Sequence, residues 1–213
     1  MSPLSAIKLA QVVKEAGFPP GVVNIITGLG NVAGSALSEH MEIKKLAFTG
    51  SGLVGRQIMI SAAKSNLKKV TLELGGKSAS IVFDDADIQN AVFWTVIGIT
   101  AHNGQICAAG SRLYMQAGIY DRFVAAFREQ SLKAIAGDPL LSESTKGPVI
   151  NPAQHAKIVE HIQKGVEQGG KLFHGGERIE SKGNFIQNTA FVDVEDHISL
   201  IQEEIFGPVA VSC

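Results

Sequence analysis

Lys45-Leu46-Ala47-Phe48 and Lys69-Val70-Thr71-Leu72-Glu73-Leu74 are two short, largely apolar runs, and between them Val54 to Ala63 repeats apolar residues at helical spacing. A strand, a crossover helix and a second strand in that order make the unit from which parallel sheets are built. The same alternation extends upstream. Val22 to Ile26 is a β-branched run between Pro19-Pro20-Gly21 and Gly28, which reads as a buried strand, and a helix is expected near Asn31 to Ser38. Ahead of these, Ser2 as N-cap and Pro3 as first helical residue open a helix carrying Ile7, Ala10, Val13 and Ala16 until Gly17 stops it. The fold class expected is α/β with a parallel sheet.

After Gly75-Gly76 a second unit is expected. Ala79 to Phe83 reads as a strand leading through Asp84-Asp85-Ala86-Asp87 into a helix that reaches about His102. Gly104 to Gly110 is a loop of small residues, Leu113 to Gln116 a strand, and Tyr120 to Ile135 an amphipathic helix with Phe123, Phe127 and Ile135 on one side. Gly137-Asp138-Pro139 and Gly147-Pro148 break the chain before a helix over Pro152 to Glu167. Short strands are expected near Leu172, near Phe185, over Phe191 to Val194 and through Val209-Ala210-Val211. A chain that opens on a helix cap and closes inside a strand reads as a segment of a longer protein.

Composition narrows the function classes. The 213 residues are 45% hydrophobic, enough for a core. Only 18% are charged, below the roughly 25% usual for soluble domains, which points to surface meant for covering by other protein. Nineteen Lys and Arg against 20 Asp and Glu give a net charge of -1 with no basic run, so nucleic acid is not an expected partner. Two cysteines, Cys107 and Cys213, describe no disulfide framework. No leader is visible, and the longest apolar stretch, Ala91 to Ala101, falls well short of a membrane span. A cytoplasmic location is expected, with no membrane partner and no metal.

Several short motifs carry chemistry. Gly28-Leu29-Gly30, with Gly34 following, lies where helix N-terminal amides meet phosphates, although its spacing has one residue too many for the usual dinucleotide loop. Phe48-Thr49-Gly50-Ser51-Gly52 offers a second such loop with two hydroxyls. Cys107, among Gly104-Gln105-Ile106-Cys107-Ala108-Ala109-Gly110, is open to two readings: an inert buried thiol, or a nucleophile whose small neighbours admit a ligand. Glu73 is likewise either a solvent-facing strand residue or, if buried between its leucines, a carboxylate with a raised pKa that works as a base. Spacing alone does not decide either case.

The stretch Leu72-Glu73-Leu74-Gly75-Gly76-Lys77-Ser78 resembles the glutamate signature of the aldehyde dehydrogenase superfamily, and Gly104 through Arg112 resembles its cysteine signature. Glu15 to Asn24, Ala47 to Ser51 and Glu203-Glu204-Ile205-Phe206-Gly207-Pro208 continue the resemblance in order along essentially the whole chain. It implies residues 1-74 as the C-terminal half of a Rossmann-like cofactor domain, residues 75-213 as most of an α/β catalytic domain, and NAD or NADP as cofactor. The same resemblance implies Cys107 as nucleophile toward an aldehyde, its backbone amide as one oxyanion donor, and Glu73 as the base that activates water. Gly30, Gly50, Ser51, Leu74, Glu204 and Phe206 are implied as cofactor-binding, although by context alone Glu204 reads as a surface carboxylate and Phe206 as a core aromatic. A full-length form is implied to be a homo-oligomer. The family's adenosine-ribose lysine and its oxyanion asparagine would fall before Met1, and one lost oxyanion donor costs ~10²- to 10³-fold in rate. The rival expectation is therefore a catalytically inactive remnant or interaction protein.

Overall fold

The computed structural model describes residues 2–179 and 182–212; Met1, Glu180, Ser181 and Cys213 lie outside the described residues. The chain divides into two compact units, Met1–Leu74 and Gly75–Cys213.

In the first unit helix α1 runs Leu4–Glu15, α2 Ser35–Glu39 and α3 Gly52–Lys64, with strands β1 Lys45–Gly50 and β2 Lys69–Leu74. The strands pair in parallel, Lys45 opposite Lys69 through Gly50 opposite Leu74, and α3 is the crossover. Ser51 starts α3 by accepting a bond from the Val54 N–H at 3.4 Å. At the other end the buried Lys68 donates to the Ser38 carbonyl and, at 2.7 Å, to Ser65 Oγ, tying α2 to the end of α3.

Three elements of this unit differ from what the sequence predicts. Val22 to Ile26 forms no strand: Asn24 Nδ2 closes a turn on the Gly21 carbonyl at 2.9 Å, and no described strand pairs with the segment. The helix expected near Asn31 to Ser38 begins instead as a wider π turn over Gly30–Gly34 and becomes α-helical only as α2. Ser2 is not the cap of α1; Pro3 occupies the cap position, with no side-chain bond.

The second unit holds strands β3 Ala79–Val82, β4 Arg112–Met115, β5 Lys171–His174, β6 Thr189–Val192 and β7 Val209–Ser212. Their order is β3-β4-β7-β6-β5, parallel except for the antiparallel pair β5 and β6. Helices α4 Ile88–Thr100, α5 Tyr120–Leu132, α6 Pro152–Glu167 and the short α7 Ser199–Gln202 complete the unit. Strand β7 is buried on both faces, as a central parallel strand must be, and its side chains alternate between two cores. Val209 and Val211 join Phe191, Ile158 and Ile162 of α6, while Ala210 joins Ala190, Leu113, Val92 and Val96 of α4, and Phe123 and Phe127 of α5. The unit is a three-layer α/β/α sandwich.

Local chemistry sets its boundaries. Asp87 Oδ1 accepts from the N–H groups of Gln89 and Asn90 to cap α4, and Asn151 with Pro152 at the first position starts α6. Helix α5 stops at Leu132 rather than Ile135, because Asn188 Nδ2 donates to the carbonyls of Ser131 at 2.7 Å and Ala134 at 2.8 Å. Ile135 is therefore half exposed instead of joining Phe123 and Phe127. The strand expected near Phe185 is a single bridge between Arg178 and Ile186, and β6 ends at Val192. No helix among the described residues is long and apolar enough to cross a membrane.

Candidate active site

Beyond α4 the chain passes through a short 3-10 turn, Ala101–Gly104, in which His102 and Asn103 take positive φ values of 47° and 56°. The buried Asn103 holds this shape by donating to the Gly147 carbonyl at 2.7 Å. Gln105 anchors the next step, its Nε2 donating to the His102 carbonyl at 2.9 Å and its Oε1 accepting from the Ile150 N–H at 3.0 Å. Cys107 then sits on a tight turn closed by the Ala109 N–H donating to the Ile106 carbonyl at 3.0 Å. The thiol is free and exposed, so the inert buried cysteine is not what the structure contains. No described residue accepts from the Cys107 N–H.

Glycines back this turn, and at Gly104 nothing larger fits. Gly104 has φ +65°, and a Cβ there would collide with the Gly207 carbonyl while standing 3.0 Å from the Ile99 carbonyl. A Cβ on Gly76 would stand 3.4 Å from the Cys107 carbonyl, and one on Gly75 would strike the Glu204 carboxylate. Glu204 Oε1 accepts from the Gly76 N–H at 3.2 Å.

Phe206 carries φ +56°, a costly conformation for a bulky residue. Two bonds of 3.0 Å hold that backbone, from Gln154 Nε2 on α6 to the carbonyls of Ile205 and Phe206. A small cleft is lined by Gly76, Ile106, Ala109, Glu204 and Phe206. The second unit thus gathers Cys107, Glu204 and Phe206 around one loop. Asn103, Gln105 and Gln154, which hold that loop and the Phe206 turn, were not marked by the sequence; each is an ordinary polar residue until its distant acceptor is known.

The remaining candidates stand in the first unit. Glu73 lies opposite Thr49, and Leu74 opposite Gly50, at the C-terminal end of the β1–β2 pair, where ligands of parallel sheets bind. Glu73 is exposed, so of the two readings its residues left open, solvent-facing or buried between Leu72 and Leu74, the chain has the solvent-facing one. Ser51 caps the 13-residue α3, and a Cβ on Gly52 would have nothing within 4 Å, leaving the helix N-terminus open to an anion. Gly30 opens the π turn and is exposed, with no described bond to Gly50 or Ser51.

Comparison with known proteins gives this geometry its context. The model of the aldehyde dehydrogenase family matches residues 1–213. An aldehyde dehydrogenase of Aspergillus niger is 55% identical over 208 residues, 98% of this chain and 42% of that protein. Aldehyde dehydrogenase, cytosolic 1, of Rattus norvegicus is 51% identical over the same shares. Among solved structures, the NAD+ complex of aldehyde dehydrogenase from Bacillus cereus superposes with a TM-score of 0.96 at 40% identity, covering 100% of this chain and 43% of that one. Betaine aldehyde dehydrogenase from Staphylococcus aureus in complex with NAD+ gives 0.94 at 35% identity, covering 99% and 43%. The chain spans less than half the length of these relatives, and on the match along its whole length it belongs to the aldehyde dehydrogenase family.

Proposed function

We propose that these residues supply the nucleophile and part of the cofactor site for oxidation of an aldehyde to a carboxylic acid with NAD+ or NADP+. The observation that carries the proposal is an exposed thiol on a tight turn whose own amide is uncommitted. In that reading Cys107 Sγ, as thiolate, attacks the aldehyde carbon, and the carbonyl oxygen gains the charge. The Cys107 N–H donates to that oxygen in the tetrahedral thiohemiacetal. A nicotinamide, when bound, would supply the acceptor for the hydride that this carbon must lose to leave a thioester on Cys107 Sγ. Glu73, proposed as general base, takes a proton from water, whose hydroxide attacks the thioester and releases the carboxylic acid and the thiolate.

The residues present fit a dinucleotide. Amides at the start of α3, beside Gly50 and Ser51, suit a pyrophosphate, Leu74 is half exposed at the adjoining strand end, and the Glu204 carboxylate is an acceptor for ribose hydroxyls. Gly30 and Phe206 belong to the same proposal, Phe206 as the ring against the nicotinamide. With a cytosolic relative and no membrane-crossing helix described, a cytoplasmic location is proposed, and a homo-oligomer for a full-length form.

A second reading, an inactive family member acting through interaction, is favoured by the exposure of Glu73 and by a first unit in which Ala62 is the single buried hydrophobic residue described. Absorbance at 340 nm with a panel of aldehydes separates the two. Catalysis predicts NADH or NADPH formation that Cys107→Ala abolishes and Glu73→Gln lowers by about 10²- to 10⁴-fold. A folded, soluble chain with no Cys107-dependent signal would mean that the chemistry belongs only to a longer parent.

A further inference from the structure

Away from the cysteine turn, α4 and α5 diverge around an open cavity of about 550 Å³, within the range of small-ligand sites. Phe93, Val96, Ile97, Ala101 and Ala134 make much of its wall, and Lys146 is part of it. The Lys146 backbone is fixed, its N–H donating to the Ile135 carbonyl at 3.1 Å and its carbonyl accepting from the Gly137 N–H at 3.1 Å. Its Nζ donates to Asn188 Oδ1, a neutral amide, and no carboxylate among the described residues pairs with it. Lys133, in the same wall, is different: exposed, and paired with Glu129 at 2.9 Å.

Burial away from water without a counter-charge disfavours an ammonium, and it pulls the Lys146 amine down to about 8. About one amine in five is then neutral at pH 7.4, against on the order of one in a thousand for an ordinary lysine. The wall is mixed, with Thr100, His102, Gln130 and Thr145 beside the apolar residues, and a partly neutral amine in such a wall is suited to act as a nucleophile toward carbonyls.

We propose that Lys146 is a carbonyl-capture site, its amine condensing with small apolar aldehydes that enter the cavity between α4 and α5. The nitrogen lone pair adds to the aldehyde carbon, and a proton passes from nitrogen to oxygen to give a carbinolamine. Water then leaves as the C–O bond breaks and C=N forms, so the imine arises with no change of oxidation level and no co-reactant. The site is separate from Cys107 and needs neither NAD+ nor turnover.

The test uses the whole 213-residue chain carrying Cys107→Ala, which removes the exposed thiol of the cysteine turn. It is incubated with hexanal and cyanoborohydride at pH 7.4, and alkylated peptides are quantified by mass spectrometry. Lys146 is expected to label faster than Lys133, and on the order of 100-fold faster than the lysine of a short reference peptide added to the same reaction, the neutral-fraction ratio of such a free lysine carried into rate. Its rate should level off above about pH 8, and Ile97→Trp, which fills the cavity, should slow it. Thr145→Trp, also in the wall, replaces Ile97→Trp if that variant fails to fold. Labelling of Lys146 no faster than Lys133, or unchanged by the cavity-filling variant, overturns the proposal. Because no arm reads dehydrogenase activity, failure here leaves the Cys107 chemistry untouched, and an inactive dehydrogenase leaves this site standing.

Discussion

The imidazole of His174 closes β5 in the buried layer beside α5, with Nε2 3.2 Å from Ser131 Oγ and Nδ1 without a partner among the described residues. Burial, and secondarily the Arg128 charge, lowers its pKa from 6.5 to about 4. The folded state therefore holds this histidine neutral where the unfolded chain would protonate it. Its stabilisation is fully present above pH 6.5 and is lost as pH falls from 6.5 toward 4, a total of about 3 kcal/mol. Urea unfolding of the natural chain and of His174→Gln across pH 7 to 4 should give stability curves that converge by about that amount. Parallel curves would mean that the imidazole titrates normally. Nothing in Lys171-Leu172-Phe173-His174 announces this residue, because the groups that surround it arrive from α5, far away in sequence. Cys107 and Glu73 stand out as candidates for the opposite reason: their neighbours in sequence form long motifs that can be matched without any structure. Residue types and spacing alone left both of them undecided.

At the scale of elements, the sequence was most legible where caps and periodicity agree locally. Asn151-Pro152 and the apolar face of Ile158 and Ile162 define α6 to its ends, and Lys69 to Leu74 defines β2. It was least legible where an element needs a partner elsewhere. Val22 to Ile26 has strand composition but no ladder, and α5 ends where the Asn188 side chain, more than fifty residues on, takes over its carbonyls. That amide makes three bonds: two to the end of α5, and one, through Oδ1, from the Lys146 ammonium. Asn188→Ala would take a donor from each of two carbonyls, leaving Ser131 with only the Ala134 N–H at 3.2 Å, and remove the only described side-chain partner of the Lys146 amine. A loss of about 2 to 4 kcal/mol in urea unfolding is expected. A loss below about 0.5 kcal/mol, the level of a neutral surface change, would show that water replaces the cap.

The two units differ as whole bodies. Gly75–Cys213 has two cores on opposite faces of a five-stranded sheet, with Phe123, Phe191, Leu200, Val209 and Val211 all but inaccessible. In Met1–Leu74, α1 has no buried residue, Leu4, Ile26, Leu29, Val32 and Leu53 are each at least 64% exposed, and the sheet has two strands. A two-stranded sheet with one apolar side chain fully buried gains little from the hydrophobic effect, whereas the second unit's burial is of the kind that sustains cooperative folding. The low charge content, read from the sequence as surface intended for covering, has its physical counterpart in these exposed residues of the first unit. Amide hydrogen exchange measures the difference directly. In the 213-residue chain, amides of β1, β2 and α3 should exchange through local opening, on the order of 100-fold or more faster than those of β6 and β7, a gap of at least about 3 kcal/mol in opening free energy. Equal protection in the two units would mean that the first is stabilised by something other than its own core, and would require the exposed apolar residues of α1 and Val22–Val32 to be covered in solution. Protection that rises only in the first unit when NAD+ is added would place cofactor binding there without any reliance on turnover.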